Sequence, residues 1–178
     1  MTRRMRFHIA ALAISGACLM LGRIPAPAGQ DRLKDLPVTP KEVASMMHAR
    51  GSFEVKLTPL KADNPVTESA NLNRMSIDKK FSGDLEGTSK GEMLSVMAEV
   101  KGSGGYVAME RVIGTLHGRN GTFVLQQLGT MTRGTPELTV TVVPDSGTGQ
   151  LTSLAGKMTI RVAEGKHFYE FDYAFPEK

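Results

Sequence analysis

The sequence predicts an all-β body, an antiparallel barrel or sandwich of about eight short strands joined by hairpin turns. Three observations predict it. Beyond Gly51 the hydrophobic period is two: Phe53, Val55 and Leu57 alternate with Ser52, Glu54, Lys56 and Thr58, as in a half-buried strand. Similar runs recur to the C-terminus, separated by "SKGE", "KGSGG", "HGRNG", "RGTPE", "PDSGTG" and "AEGK", each with a glycine suited to the positive φ of a tight turn. The last run places Tyr169, Phe171, Tyr173 and Phe175 on one face and Phe168, Glu170, Asp172 and Ala174 on the other. A continuous aromatic column fills the interior of a small closed barrel well, although a sandwich core shows the same alternation.

Ahead of this body stands "MTRRMRFHIAALAISGACLMLGRIPAPAG". Its basic start at Arg3, Arg4 and Arg6, apolar run over 7–21 and small residues at Ala26-Pro27-Ala28 have the layout of an export signal. The run is shorter than the ~20 residues of a comfortable membrane span. Residues 1–28 are therefore expected to be a signal peptide cleaved after Ala28, leaving an extracytoplasmic product, periplasmic or secreted, with no membrane attachment. The alternative is lipidation at Cys18, because "SGAC" resembles a lipoprotein box. Ser15 stands where Leu is usual there, and Leu19, Met20 and Leu21 continue the apolar run, which favours plain release.

Removal of the leader changes the charge. Arg3, Arg4, Arg6 and Arg23 account for the whole formal excess of +4, and 18 basic residues then face 18 acidic ones. A basic surface for nucleic acid is poorly supported. The single cysteine, Cys18, leaves as well, so neither a disulfide nor a thiol is expected in the exported body.

Residues 29–50 read as a linker with one short helix over 39–49. Thr39 supplies an N-cap, Pro40 the first helical position and Glu42 the reciprocal cap, with Val43, Met46 and Met47 on one stripe. The body, residues 51–178, then offers alternating runs near 53–58, 72–81, 84–89, 92–100, 106–116, 122–131, 137–143, 157–162 and 167–175.

The run 106–116 differs from the others. One face holds Tyr106, Ala108, Glu110, Val112 and Leu116, and the other holds Val107, Met109, Arg111 and Ile113. Both are largely apolar, so the outer face needs a second cover, either a neighbouring copy in a homo-oligomer or the 39–49 helix.

"GSFEVKLTP", "RMSIDKKFSGDLEGTSKGEML", "GYVAMERVIGTLHGRNGTFVLQQLGTM" and "LTVTVVPDSGTGQLTSLAGKMTI" resemble, in order and spacing, the bacterial proteins grouped as domain of unknown function 3224. The resemblance spans 49–176, nearly all of the exported chain. That family resembles the allene oxide cyclase barrels, which implies an eight-stranded antiparallel barrel. Plant dirigent proteins share this barrel, and their Gly-rich turn is similar to Gly147-Thr148-Gly149 followed by Leu151, Leu154 and Gly156. Members typically begin near the position of Met47, so the leader and linker are an addition. The family has no established reaction, and the cyclase's catalytic residues find no residue-by-residue match here. The resemblance implies a fold and no activity.

Few polar groups could carry chemistry. Glu110, on the face of Tyr106 and Val112, would be partly desolvated inside a barrel and could serve as a general acid or base. The plainer alternative, and the favoured one, is a carboxylate paired with Arg74, Arg161 or a Tyr hydroxyl to hold register. Arg111 points to the opposite face, as a rim residue or subunit contact. Gln127, on the face of Phe123 and Leu125, is an inward amide that either meets a ligand or is satisfied by backbone near Gly129. His117 precedes an Asn120-Gly121 turn without metal-ligand spacing, and "PDSGTG" lacks the later ligands of a calcium loop. Met75, Met93, Met97, Met109, Met131 and Met158 either fill core gaps or line a deformable pocket.

The leading expectation is an exported barrel that binds a small, mostly apolar molecule through Tyr106, Glu110, Gln127, Tyr169, Phe171 and Tyr173, without metal or cofactor. A second is an isomerase or cyclase using the same cavity, with Glu110 as its acid-base residue, though no catalytic motif favours an enzyme. A third is a packed barrel acting only as an oligomeric or adaptor module. Interior volume separates them: an empty cavity of a few hundred Å³ keeps the first two, whereas a filled interior leaves the third.

Overall fold

Eight strands close into a single antiparallel barrel in chain order: β1 (Met47–Leu60), β2 (Asn73–Gly83), β3 (Leu85–Met97), β4 (Gly104–Leu116), β5 (Arg119–Thr132), β6 (Thr135–Val142), β7 (Ala155–Ala163) and β8 (Lys166–Ala174), with β8 pairing back to β1. This is a computed structural model that describes residues 45–61 and 72–177. The expected signal peptide, Cys18 and most of the linker lie outside the described residues.

The alternation read from sequence is what closes the barrel. Ala49, Phe53, Ile77, Phe81, Val112, Phe123, Leu125, Val140, Met158, Tyr169, Phe171 and Tyr173 point inward and are buried, and intervening residues face out. The aromatic column of β8 is internal: Phe171 stacks on Phe123 and Tyr173, and Tyr169 meets Phe81 edge-on.

Three readings are corrected. The helix expected over 39–49 does not include its last residues, since Met47–Arg50 belong to β1 and pair with β8 from Tyr173 to Glu170. Met47 and Ala49 turn inward while His48 and Arg50 turn out, a period of two that begins before Gly51; the barrel starts at Met47. Residues 39–44 are outside the described set. The runs 84–89 and 92–100 are one strand, β3, with "SKGE" in its middle. The β4–β5 turn is His117-Gly118 rather than Asn120-Gly121, with φ of 44° and 78°; Arg133-Gly134 and Glu164-Gly165 repeat this left-handed pair at the next two hairpins of the kind.

The two ends of the barrel differ. At one, the connection between β6 and β7 folds across the opening through a 3₁₀ turn at Gly149–Leu151, and Leu151 and Leu154 are fully buried against the core. At the other, where β1 ends and β2 begins, no buried side chain among the described residues plays that part. The wall is also uneven. β3, β4 and β5 pair along nearly their whole length, whereas β6 and β7 pair only at Val140↔Met158 and Thr141↔Lys157. Towards the end opposite Leu151 and Leu154 these strands part beside Leu138, Ile160 and Val162.

Candidate functional site

Glu110 sits mid-strand on β4, opposite Gly91 of β3 and Leu125 of β5. A Cβ on Gly91 would stand 2.6 Å from the Glu110 Cα, so a side chain there would force the strands apart. Glycine within "SKGE" thus makes room for the carboxylate instead of making a turn. Over this gap Glu110 reaches Ser89 on β3 and Lys79 on β2, which are themselves register partners.

The resulting cluster is wholly interior. Glu110 Oε1 accepts from Lys79 Nζ at 2.7 Å and from Gln127 Nε2 at 2.5 Å, and Oε2 accepts from Ser89 Oγ at 2.6 Å. Tyr106 donates its hydroxyl to Gln127 Oε1 at 3.2 Å. Glu110 is 1% exposed, Ser89 2%, Gln127 5% and Lys79 7%. No described buried side-chain nitrogen or oxygen lacks a partner, so the cluster meets the requirement that buried charge be paired and hydrogen-bonded. Burial pushes the Tyr106 phenol above its ordinary value, and the nearby Glu110 charge adds to this.

Above the cluster, towards the end where β1 finishes and β2 begins, lies a cavity of about 280 Å³. Phe53, Val55, Ile77, Leu138, Ile160 and Val162 form apolar walls, and Lys79, Tyr106, Gln127 and His167 are its polar side chains. The Lys79 ammonium lies 4.8 Å from the centre of the Phe53 ring, and His167 stacks on the same ring at 5.0 Å. Glu110 does not reach the cavity.

The structure therefore brings together Tyr106, Glu110 and Gln127 of the residues singled out in sequence, and separates them from the rest. Tyr169 is 1% exposed and its hydroxyl accepts from the Leu85 backbone N–H at 2.8 Å. Phe171 and Tyr173 lie in the packed core towards the capped end, where the Tyr173 hydroxyl bonds His117 Nδ1 at 2.7 Å. Arg74 pairs with Glu92 on the surface and Arg161 covers the Phe168 ring; the partner of Glu110 is Lys79. Gln127 is satisfied by side chains, not by backbone near Gly129. Arg111 is exposed on the outer face. Lys79 and Ser89 were missed in sequence. The signal was parity, since Lys79 shares the face of Ile77 and Phe81. Among the described residues no group of three or more His, Cys, Asp or Glu could hold a metal ion.

The outer face of β3, β4 and β5 carries one apolar row beside the mixed rows Glu92–Met109–Gln126 and Lys90–Arg111–Val124. Leu94, Val107 and Leu128 form one row across β3, β4 and β5 and are 38%, 51% and 54% exposed. Met109 and Ile113 extend it along β4.

Fold and site define a small closed β-barrel with a capped floor and a buried, charge-balanced polar cluster beneath an apolar cavity. The sequence profile of the family described as protein of unknown function (DUF3224) matches residues 49–173. The chain belongs to that family. A crystal structure of a DUF3224 family protein of unknown function from Shewanella oneidensis MR-1 is similar at 51% identity, covering 75% of this chain and 100% of its own, with a TM-score of 0.70. No curated protein matches.

Proposed function

We propose that this protein is an exported barrel that binds a small, mostly apolar molecule in the cavity at the end where β1 finishes and β2 begins. The observation that carries the reading is the cavity itself, about 280 Å³ with apolar walls and a few convergent polar groups, the usual make-up of a small-molecule site. In this reading Glu110 is a positioning residue: all its contacts are spent on Lys79, Gln127 and Ser89, and Lys79, Tyr106 and Gln127 meet the ligand. The enzymatic alternative loses its acid-base residue accordingly. Native mass spectrometry of protein purified from its own host tests the reading. A small-molecule adduct released on denaturation supports it; bare protein that also shows no thermal shift with small apolar compounds overturns it.

Two further parts of the reading concern context. The basic, apolar and small-residue order of residues 1–28 supports export, and cell fractionation with N-terminal sequencing should find a shortened extracytoplasmic chain beginning near Gly29. The row of Leu94, Val107 and Leu128 supports a homo-oligomer that covers β3–β5. Met109→Lys should then shift the mass in light scattering towards the monomer; a monomeric wild-type chain would count against it.

A further inference from the structure

We infer that the cavity selects uncharged apolar molecules bearing a carbonyl-type oxygen and rejects carboxylates of the same shape. The inference rests on the binding reading and adds the chemical class.

The donors come first. An ammonium carries three N–H groups and a side-chain amide two. Lys79 spends one on Glu110 and rests against the Phe53 ring. Gln127 spends one of its amide N–H groups on Glu110 as well. Both side chains line the cavity, so each retains a donor for an oxygen placed between them. The carboxylate that fixes them does not line it.

Charge then decides which oxygen. Lys79 and Glu110 cancel within the cluster, with side-chain exposures of 6% and 0%. The other polar side chains in the wall are Tyr106, Gln127 and His167. A bound carboxylate would bring a second negative charge to a site whose single ammonium is already neutralised. Those two donors would replace part of its hydration, but no free positive charge would offset the rest. A ketone, aldehyde or ester oxygen accepts the same hydrogen bonds and leaves the charge balance intact. The apolar walls take the remainder of such a molecule without leaving a polar group unmet.

The test compares benzylacetone with hydrocinnamate, near-isosteres that differ by a methyl group against an ionised oxygen, and with butylbenzene, which lacks the acceptor. Equilibrium dialysis of each compound in the same buffer gives the three affinities. Wild-type protein should hold benzylacetone about tenfold tighter than hydrocinnamate, the factor expected for one uncompensated charge or lost hydrogen bond. Glu110→Gln leaves Lys79 as the sole charge, so hydrocinnamate should rise at least to parity. In Lys79→Met/Glu110→Gln, benzylacetone should weaken by about tenfold while butylbenzene stays within about twofold. Hydrocinnamate bound by the wild type as tightly as the ketone overturns the inference even if neither variant folds. An unchanged ketone affinity in the double variant also overturns it but leaves the binding reading standing. Retention of none of the three compounds by wild-type protein removes both.

Discussion

Replacing Lys79 with methionine keeps most of the side-chain volume and removes the ammonium that stands 2.7 Å from Glu110 Oε1. At that distance two unit charges attract by about 6 kcal/mol at an effective dielectric of about 20, and desolvation of both groups takes back part of it. Once the ammonium is gone, the carboxylate stays buried with only Ser89 and Gln127, and breaking a buried pair from one side costs about 3–5 kcal/mol. For a chain of this size that is a fall of roughly 10–20 °C in Tm. Glu110→Gln is milder, about 1–3 kcal/mol, because the amide oxygen still accepts from Lys79 and Gln127 and its nitrogen can donate to Ser89. The double variant carries no buried charge and should sit within about 1 kcal/mol of wild type. Urea unfolding of the four proteins at neutral pH gives the cycle, with a coupling energy of at least about 3 kcal/mol expected. A Lys79→Met cost below about 1 kcal/mol, or strict additivity, would refute a buried, mutually dependent pair.

Other perturbations probe the same interior. Gly129→Ala would put a Cβ 2.1 Å from Tyr106 Cε1; displacing that ring and its bond to Gln127 should cost about 1–3 kcal/mol in denaturant unfolding, and a neutral result would mean that the ring does not lie over Gly129. The protein's three tyrosines, Tyr106, Tyr169 and Tyr173, all lie inside and all are raised above 10.0 chiefly by burial. A raised folded-state value gives stability that is complete below pH 10 and lost as the pH climbs through it, so phenolate absorbance should grow in step with loss of circular dichroism; a tyrosine that ionises while the fold persists near pH 10 contradicts this. Asp84 is lowered from 3.8, first by the Arg50 backbone N–H at 2.8 Å and then by His117. Its contribution is therefore present above pH 3.8 and lost as the pH falls through the lower folded value. Asp84→Asn should flatten the acid limb of the stability curve and leave the neutral plateau's shape unchanged.

Much of the barrel was legible because a strand with one wet face and one dry face writes its orientation into every second residue. The inward set on β4 and β8, including Glu110 and the aromatic column, follows from that alternation alone. The failures came where a residue's usual meaning competed with its parity. Gly91 beside Lys90 and Glu92 resembles a turn, yet its lack of a side chain serves a neighbour on the next strand, and cross-strand neighbours are not visible in a linear reading. Lys79 beside Lys80 resembles a solvated pair, yet only Lys80 is exposed. Identifying the partner of Glu110 required the register that puts Lys79 opposite Ser89 and Gly91 opposite Glu110. Position along the barrel was equally hidden: Tyr169, Phe171 and Tyr173 face inward as read, but which end is capped depends on Leu151 and Leu154 folding back across it.

The short seam between β6 and β7 gives the barrel a preferred direction in which to breathe. Elsewhere each junction is a ladder of seven or more register pairs, and here it is two. With about 1 kcal/mol net per backbone hydrogen bond, the free energy needed to part this junction is a small fraction of that for any other. Those amides among Val140, Thr141, Lys157 and Met158 that point across this seam, rather than towards β5 or β8, should accordingly lose protection from hydrogen exchange before those of β4, without global unfolding. The molecule then behaves as a rolled ribbon fastened by a short latch. Its interior meets the solvent first along a line in the wall, between β6 and β7, while the floor sealed by Leu151 and Leu154 stays shut.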